Sequence, residues 1–306
     1  MARLKRRFWP TETRDNCVVS NSAIGIAGTG RMAKALGALL PPVSAVAGRC
    51  ARSTEEAARF IGSPLAVSFR ELPGYSRHIL LAVADDAIPA VASALAAAGL
   101  TGATVLHTSA AAGPDALDVL RAAGNSTGVL HPLQTVPSAE RGVQTLPGAT
   151  YAYAGDEAAV RWARSLIERL GGQGLAVDPA RWPHYHAAAV MACNYHVTLV
   201  DAALELMQIA GISRGAALEA LGPIVRATTG NILASGPELA LTGPIRRGDV
   251  GTIRRHLAAL EDSLPETRDL YTAAGLRTVA VARRAGLPPG AAGDVVRVLT
   301  SRGADA

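Results

Sequence analysis

The sequence predicts an α/β fold, a doubly wound and mainly parallel sheet, followed by an all-helical C-terminal domain. Between residues 22 and 178, short apolar runs alternate with helical stretches, and beyond about residue 180 no strand-like run recurs. A strand covered on both faces reads as a continuous apolar run, and strands alternating with helices give a parallel sheet. The runs are AIGIAG (23–28), VSAVAG (43–48), HILLAVA (78–84), ATVLHTS (103–109), STGVLHP (126–132), ATYAYAG (149–155) and GLAVD (174–178). Between them lie RMAKALGALL, STEEAARFIG, DAIPAVASALAAAG, PDALDVLRAAG and DEAAVRWARSLIERLGG, several closing on the glycine that a helix C-terminus favours.

From WPHYHAAAVMACNYHVTLVDAALELMQIAG onward, apolar residues follow helical spacing. That first helix is apolar enough to predict burial on both sides, against its own domain and against a second subunit, so a homodimer through the helical domain is expected. The organisation expected is a disordered basic leader over residues 1–21, a dinucleotide-binding domain over 22–178 and a helical substrate and dimerisation domain over 179–306.

Composition narrows the function. The 306 residues are 49% hydrophobic, which is globular and not disordered. The net charge of +5 sits mostly in the first 14 residues, where Arg3, Lys5, Arg6, Arg7 and Arg14 face only Glu12. The folded part therefore presents no basic face, and nucleic acid is not an expected partner. Cys17, Cys50 and Cys193 lie far apart without a CxxC pair, giving neither a disulfide framework nor a zinc site. The N-terminus lacks the apolar core of a secretory signal, and no apolar run approaches the roughly 18 residues that span a bilayer. Together these readings predict a cytoplasmic protein without membrane contact. Lys5 and Lys34 are the only lysines, so lysine-based chemistry has almost nowhere to sit.

The first run leads straight into Gly28-Thr29-Gly30-Arg31-Met32-Ala33 and then a helix. This is GxGxxA between a strand and a helix, the context in which the motif signifies a Rossmann domain. Gly28 permits the tight turn, Gly30 lets a pyrophosphate approach the backbone, and Ala33 keeps the helix close to the strand. The phosphates then sit on free N–H groups at the positive end of the helix. About 20 residues on, NAD-preferring sites carry an acid for the ribose hydroxyl, whereas this chain has Arg49-Cys50-Ala51-Arg52-Ser53. Arg49 and Arg52 suit a 2′-phosphate, so NADP is expected over NAD. The competing reading makes them solvated loop arginines.

Ligands in such sheets lie beyond the carboxyl ends of the strands. Three loops begin there, at Ala84-Asp85-Asp86, at His107-Thr108-Ser109 and at His131-Pro132-Leu133-Gln134. Ala84, His107 and Thr108 are expected to meet the cofactor, and Gln134 the substrate. Asp85 or Asp86 is expected to cap the following helix. His131 is the first candidate acid/base for hydride transfer to a carbonyl or imine, since an imidazole works near neutral pH. The alternative is a histidine that merely bonds its loop. Ser109 either orients the substrate or carboxamide or is a turn hydroxyl. His186 and Asn194, eight residues apart with Val190 midway, share one helical face. They contact substrate or cofactor, or bond a neighbouring helix. His184 and His186 point apart on a helix, which predicts no metal site. In Leu241-Thr-Gly-Pro-Ile-Arg-Arg-Gly-Asp249, Asp249 reads as a helix N-cap, and Arg246 or Arg247 as a carboxylate clamp or a surface arginine.

The order GTGRMA, AVADDAI, HTSAA, LHPLQT, YHAAAVMACN and LTGPIRRGD resembles the Rossmann-like proteins that carry the domain of unknown function DUF2520. That family is described as dehydrogenase-like, and it is similar to prephenate dehydrogenase, pyrroline-5-carboxylate reductase and the 6-phosphogluconate dehydrogenase-like group. The resemblance implies a Rossmann domain, a helical domain and dimerisation through the latter. His131-Pro132 resembles the His-Pro motif of prephenate dehydrogenases, which implies that His131 contacts the reacting hydroxyl. The helix bearing Asn194 resembles the hydroxyacid dehydrogenase helix, whose lysine four residues earlier is here Val190. Lysine catalysis in its usual form is thereby excluded, and His186 is the expected substitute. Ala110 stands where the HTSAA motif would be expected to carry glycine.

The function expected is an NADP-dependent oxidoreductase of a small, anionic metabolite. A non-catalytic NADP(H) sensor or regulatory protein is the second reading. A helical interaction module with a vestigial Rossmann half is the third.

Overall fold

The computed structural model describes residues 23–62 and 65–301, and the leader expected over residues 1–21 lies outside them. Internal contacts divide the chain into two units, one ending at Ala192 and the other starting at Cys193.

The first unit runs β1 (Ile24–Ala27), α1 (Arg31–Leu39), β2 (Val43–Ala47), α2 (Ala51–Ile61), β3 (Ala66–Val67), β4 (His78–Leu81), α3 (Ile88–Ala97), β5 (Thr104–His107), α4 (Asp118–Ala122), β6 (Ser126–Pro132), α5 (Ala139–Thr145), β7 (Thr150–Gly155), α6 (Glu157–Arg169), β8 (Gln173–Ala176) and α7 (Trp182–Ala192). The strands form one sheet in the order β3-β2-β1-β4-β5-β6-β7-β8. The first six are parallel, β7 is antiparallel to β6, and β8 is parallel to β7. Strand order reverses between β1 and β4, which opens a crevice at their carboxyl ends.

The apolar runs are continuous because both faces are covered. Ile24, Ile26, Leu80, Leu106 and Leu130 join residues of α1, α2 and α6 in one buried cluster. Ala27, Ile79, Leu81 and Val105 join Val91 and Leu95 of α3 and Leu120 of α4 in another. A third, smaller cluster packs Val129, Ala152 and Ala154 against Trp182 of α7. The indole is only 2% exposed, and its Nε1–H donates to the Ala110 carbonyl at 2.8 Å. This anchors α7 to the loop that follows β5. All seven expected strands are present. The eighth, β3, spans two residues, too short for a periodic signal.

The second unit contains α8 (Asn194–Ile209), α9 (Arg214–Ala240), α10 (Gly243–Arg247), α11 (Val250–Ser263), α12 (Pro265–Arg284) and α13 (Pro289–Thr300). Its core is built by Ile245, Ile253, Leu257, Val279, Val295 and Leu299. Asp249 caps α11 by accepting from Thr252 N–H at 3.0 Å, as the sequence predicts. Gly236 breaks α9 near its end at φ 80°, a conformation that glycine tolerates, just ahead of Pro237.

Three features differ from or add to the sequence reading. The helix that the sequence reads as continuous is interrupted at Cys193, where the units also divide. In the single chain most of residues 183–200 are exposed. Leu204 is the buried residue of α8 and Ala217 that of α9, while Leu233 and Leu239 are 82% and 80% exposed. Finally, Pro179–Ile209 is long and apolar enough, by length and composition, to cross a membrane, although no such stretch is expected from the sequence. Its apolar residues are interspersed with His184, Asn194 and Asp201, so no uninterrupted run gives it away.

Leu36 of α1 is fully buried against the sheet. Leu36→Ala is expected to cost about 2–5 kcal/mol, read as a lowered midpoint in denaturant unfolding.

Candidate functional site

The crevice at the carboxyl ends of β1, β2, β4 and β5 holds a cleft of about 480 Å³. Gly28, Thr29, Gly30, Arg31, Met32, Arg49, Ala84 and Thr108 line it. Gly28 closes β1 at φ +139°, and any Cβ there would collide with the Ala82 carbonyl oxygen. Ala33 packs beneath, with its Cβ 3.4 Å from where that atom would sit. Gly30 is the N-cap of α1, and a Cβ on it would meet nothing within 4 Å. No side chain caps α1. The first-turn N–H groups of a helix have no intrahelical acceptor. Here they open onto space large enough for a phosphate, and the helix dipole favours negative charge there. The residues therefore fit the diphosphate of a dinucleotide.

Gly48 closes β2 beside this turn, where a Cβ would lie 2.7 Å from Thr29 Cγ2. Arg49 follows at the cleft wall, exposed and without an acid in the pattern reserved for a ribose hydroxyl. Arg52 does not line the cleft. Its guanidinium pairs with Glu56 at 3.0 Å on the outer face of α2, with the side chain 88% exposed. Arg31 donates to the Pro137 carbonyl at 2.9 Å, tying α1 to the loop after β6. Phe69, Val83, Val91 and Val136 also line the cleft without having been singled out from the sequence. Phe69 follows β3, the strand too short to recognise.

His107 sits beneath the cleft, fully buried. Its Nε2 is 2.8 Å from the Gly113 carbonyl, and its Nδ1 accepts from Ser109 N–H at 3.2 Å. Both nitrogens hold the loop after β5, and burial pushes the ring down to about 4. The ring, expected from the sequence to meet the cofactor, has both nitrogens engaged by its own loop below Thr108. Ser109 Oγ accepts from Ala112 N–H at 3.0 Å within the same loop, which is the turn role.

His131 lies at the carboxyl edge of β6, paired with Ala152 of β7. It is half-buried, and Nδ1 is 2.7 Å from the hydroxyl of Tyr185 on α7. Burial, reinforced by the like charge of His186, holds it at about 4, and Asp85 opposes that shift. Neither Asp85 nor Asp86 caps a helix. Asp85 opens a 3₁₀ turn, Asp85–Ala87, that has no side-chain cap, and α3 is uncapped too. Instead the charge of Asp85 acts on both His107 and His131. Tyr185, which sequence reasoning missed, is raised to about 12 by burial. It is 54 residues from His131, and only the fold brings the two together.

Gln134 is exposed, with Oε1 accepting from Thr135 N–H at 2.9 Å. His186 is half-buried on α7. In the second unit, Asn194 is exposed at the start of α8. Arg246 donates to the Ala285 carbonyl at 2.8 Å, and Arg246 and Arg247 line an open hollow of about 600 Å³ with Thr242 and Pro288.

Residues 10–132 match the family of the Rossmann-like domain, and residues 149–278 match the domain of unknown function DUF2520. The chain joins a Rossmann-like domain to a DUF2520 domain. Among curated proteins none matches it. Among solved structures, protein TM1727 from Thermotoga maritima is similar over 86% of this chain and 99% of its own, at 20% identity and a TM-score of 0.71. The Bacteroides fragilis protein BF3122, assigned as an NADP oxidoreductase, is 21% identical over 87% of this chain and 98% of its own, with a TM-score of 0.67. A reductive aminase from Aspergillus terreus, in complex with NADPH4, cyclohexanone and allyl amine, is 19% identical over 92% and 93%, with a TM-score of 0.54. At these identities the likeness establishes the fold.

Both depressed histidines make stability depend on pH. The unfolded rings take up protons near 6.5 and the folded ones only near 4, so the folded state binds fewer protons between these values. Their contribution is complete above about pH 6.5 and is lost as pH falls toward 4. His107→Gln is expected to lower Tm at pH 7 yet to give a shallower fall in Tm from pH 6.5 to 4 than the parent. Thermal unfolding across that range checks it.

Proposed function

We propose that this Rossmann-like and DUF2520 chain is an NADP-dependent oxidoreductase that acts on a small anionic metabolite. In this reading, residues 22–178 hold the cofactor, while 179–306 contribute substrate binding and dimerisation, and the protein works in the reducing cytosol. The observation that carries the proposal is the uncapped first turn of α1 over Gly28 and Gly30, opening into a cleft walled by Arg49. A nicotinamide dinucleotide bound there supplies or accepts a hydride. Gly30, Arg31 and Met32 offer backbone N–H groups to the diphosphate. Arg49 offers a charge-assisted contact to the 2′-phosphate. Arg52, already paired with Glu56, is secondary. The NADP(H)-associated names of the Bacteroides and Aspergillus proteins agree with this assignment.

His131 is the acid/base group, at the carboxyl edge of the sheet where a reacting carbon would lie. His186 acts electrostatically on the same ring. Arg247 is assigned to an anionic group of the substrate, Arg246 being committed to Ala285. The non-catalytic sensor is the second reading. It is favoured by an imidazole that burial keeps uncharged and by a helical domain without lysine. A panel of keto acids, hydroxy acids and cyclic imines with NADPH separates the two, since a sensor binds the nucleotide and oxidises it with none of them.

The partner of the exposed apolar faces of α8 and α9 is a second copy of the chain. Leu233 and Leu239 then lie in or beside the interface.

Arg49→Ala is expected to weaken NADPH about 10–100-fold while leaving NADH nearly unchanged, measured by nucleotide fluorescence. Equal losses for both would refute the 2′-phosphate contact. His131→Ala is expected to keep NADPH affinity and to lower kcat by about 10²–10⁴ with any substrate the panel yields. Undiminished turnover removes His131 from the mechanism. Sedimentation is expected to give a dimer that Leu233→Glu converts to monomer, and a monomeric parent contradicts the interface.

A further inference from the structure

His131 and Tyr185 form a defined pair. Besides the 2.7 Å contact between Nδ1 and the phenol oxygen, the rings stand edge to face, 5.9 Å apart at 75°. Tyr185 is held in turn by Trp182, at 5.1 Å between ring centroids, and Trp182 is bonded to Ala110. One member of the pair must donate. A phenol at about 12 keeps its proton. Among the described residues its oxygen has no other hydrogen-bond partner. If His131 donated instead, the phenol hydrogen would have no acceptor among the described residues. Donation from tyrosine to Nδ1 satisfies both groups and leaves the single ring proton of a neutral imidazole on Nε2.

We propose that Tyr185 is a positioning residue that locks His131 as the Nε2–H tautomer, so that the uncharged ring meets the substrate as a hydrogen-bond donor. This rests on the oxidoreductase reading and deepens it. A donor suits a carbonyl oxygen or imine nitrogen awaiting reduction, whereas oxidation of an alcohol needs an acceptor in that place. The ionisable groups that act on His131 are His186 from α7, Asp85 after β4 and the neutral His107 of β5. As hydride arrives at a carbonyl carbon, the substrate oxygen gains an electron pair. The Nε2–H bond breaks, an O–H bond forms on the substrate, and the phenol proton moves to Nδ1. A proton from bulk solvent then restores the Tyr185 phenol, so that the whole reduction consumes one hydride and one solvent proton. The ring stays neutral throughout, which explains how an imidazole held at about 4 serves a reaction at neutral pH.

Ring ¹⁵N spectra of the full, labelled chain without cofactor test this, with the His131 signals assigned by their loss in His131→Gln. The result expected is an Nε2-protonated ring, unchanged from pH 5 to 8. Tyr185→Phe is expected to shift the tautomer ratio toward Nδ1–H by about tenfold. A proton on Nδ1 in the parent, or a ratio that Tyr185→Phe leaves unmoved, overturns the proposal. If Tyr185→Phe does not fold, the parent spectrum alone decides. NADPH titration of the same parent sample keeps the two readings apart. An Nε2–H ring in a protein that binds no NADPH upholds the lock and retires the oxidoreductase assignment.

Discussion

The site depends on backbone N–H groups that the chain leaves unsatisfied at the start of α1. Most helices meet this need with a serine, threonine, aspartate or asparagine. Here Gly30 stands at that position and offers nothing. The rest of the crevice protects the arrangement. Gly28 has no room for a side chain under the Ala82 carbonyl, Ala33 keeps α1 against β1, and Gly48 lets the next loop pass close to Thr29. A larger residue at any of these points pushes the helix away from the strand that aims it. The clustering of small residues around one uncapped helix end is best understood as a single constraint.

The second theme is charge removed by burial. Two histidines at the carboxyl edge of the sheet lie in surroundings that suppress the imidazolium. Only one of them has a nitrogen to spare. His107 spends both on its own loop, and His131 spends one on Tyr185. Asp85 places a carboxylate where it acts on both rings. Two histidines that look equivalent at strand ends thus become a brace and a candidate reactant, and the difference lies in hydrogen bonding.

The sheet was legible in the sequence because each buried strand needs a continuous apolar run, and Ile24–Ala27 and His78–Leu81 could be little else. The glycine turn was legible because its requirements are local. What escaped were features set across long separations or by very short segments. The two-residue β3, and with it Phe69, carries no periodicity. Tyr185 acquires its role from a strand 54 residues away. The division at Cys193 falls within a stretch whose composition is helical on both sides, so nothing in the sequence marks it. Arg52 looked equivalent to Arg49 until Glu56, one turn along α2, claimed it.

The most direct test is a backbone amide map of the labelled protein titrated with NADPH. The account predicts saturable shifts at the amides of Gly30, Arg31 and Met32 at the head of α1, together with Arg49. Amides at the head of α1 that stay unmoved at saturating nucleotide would contradict it.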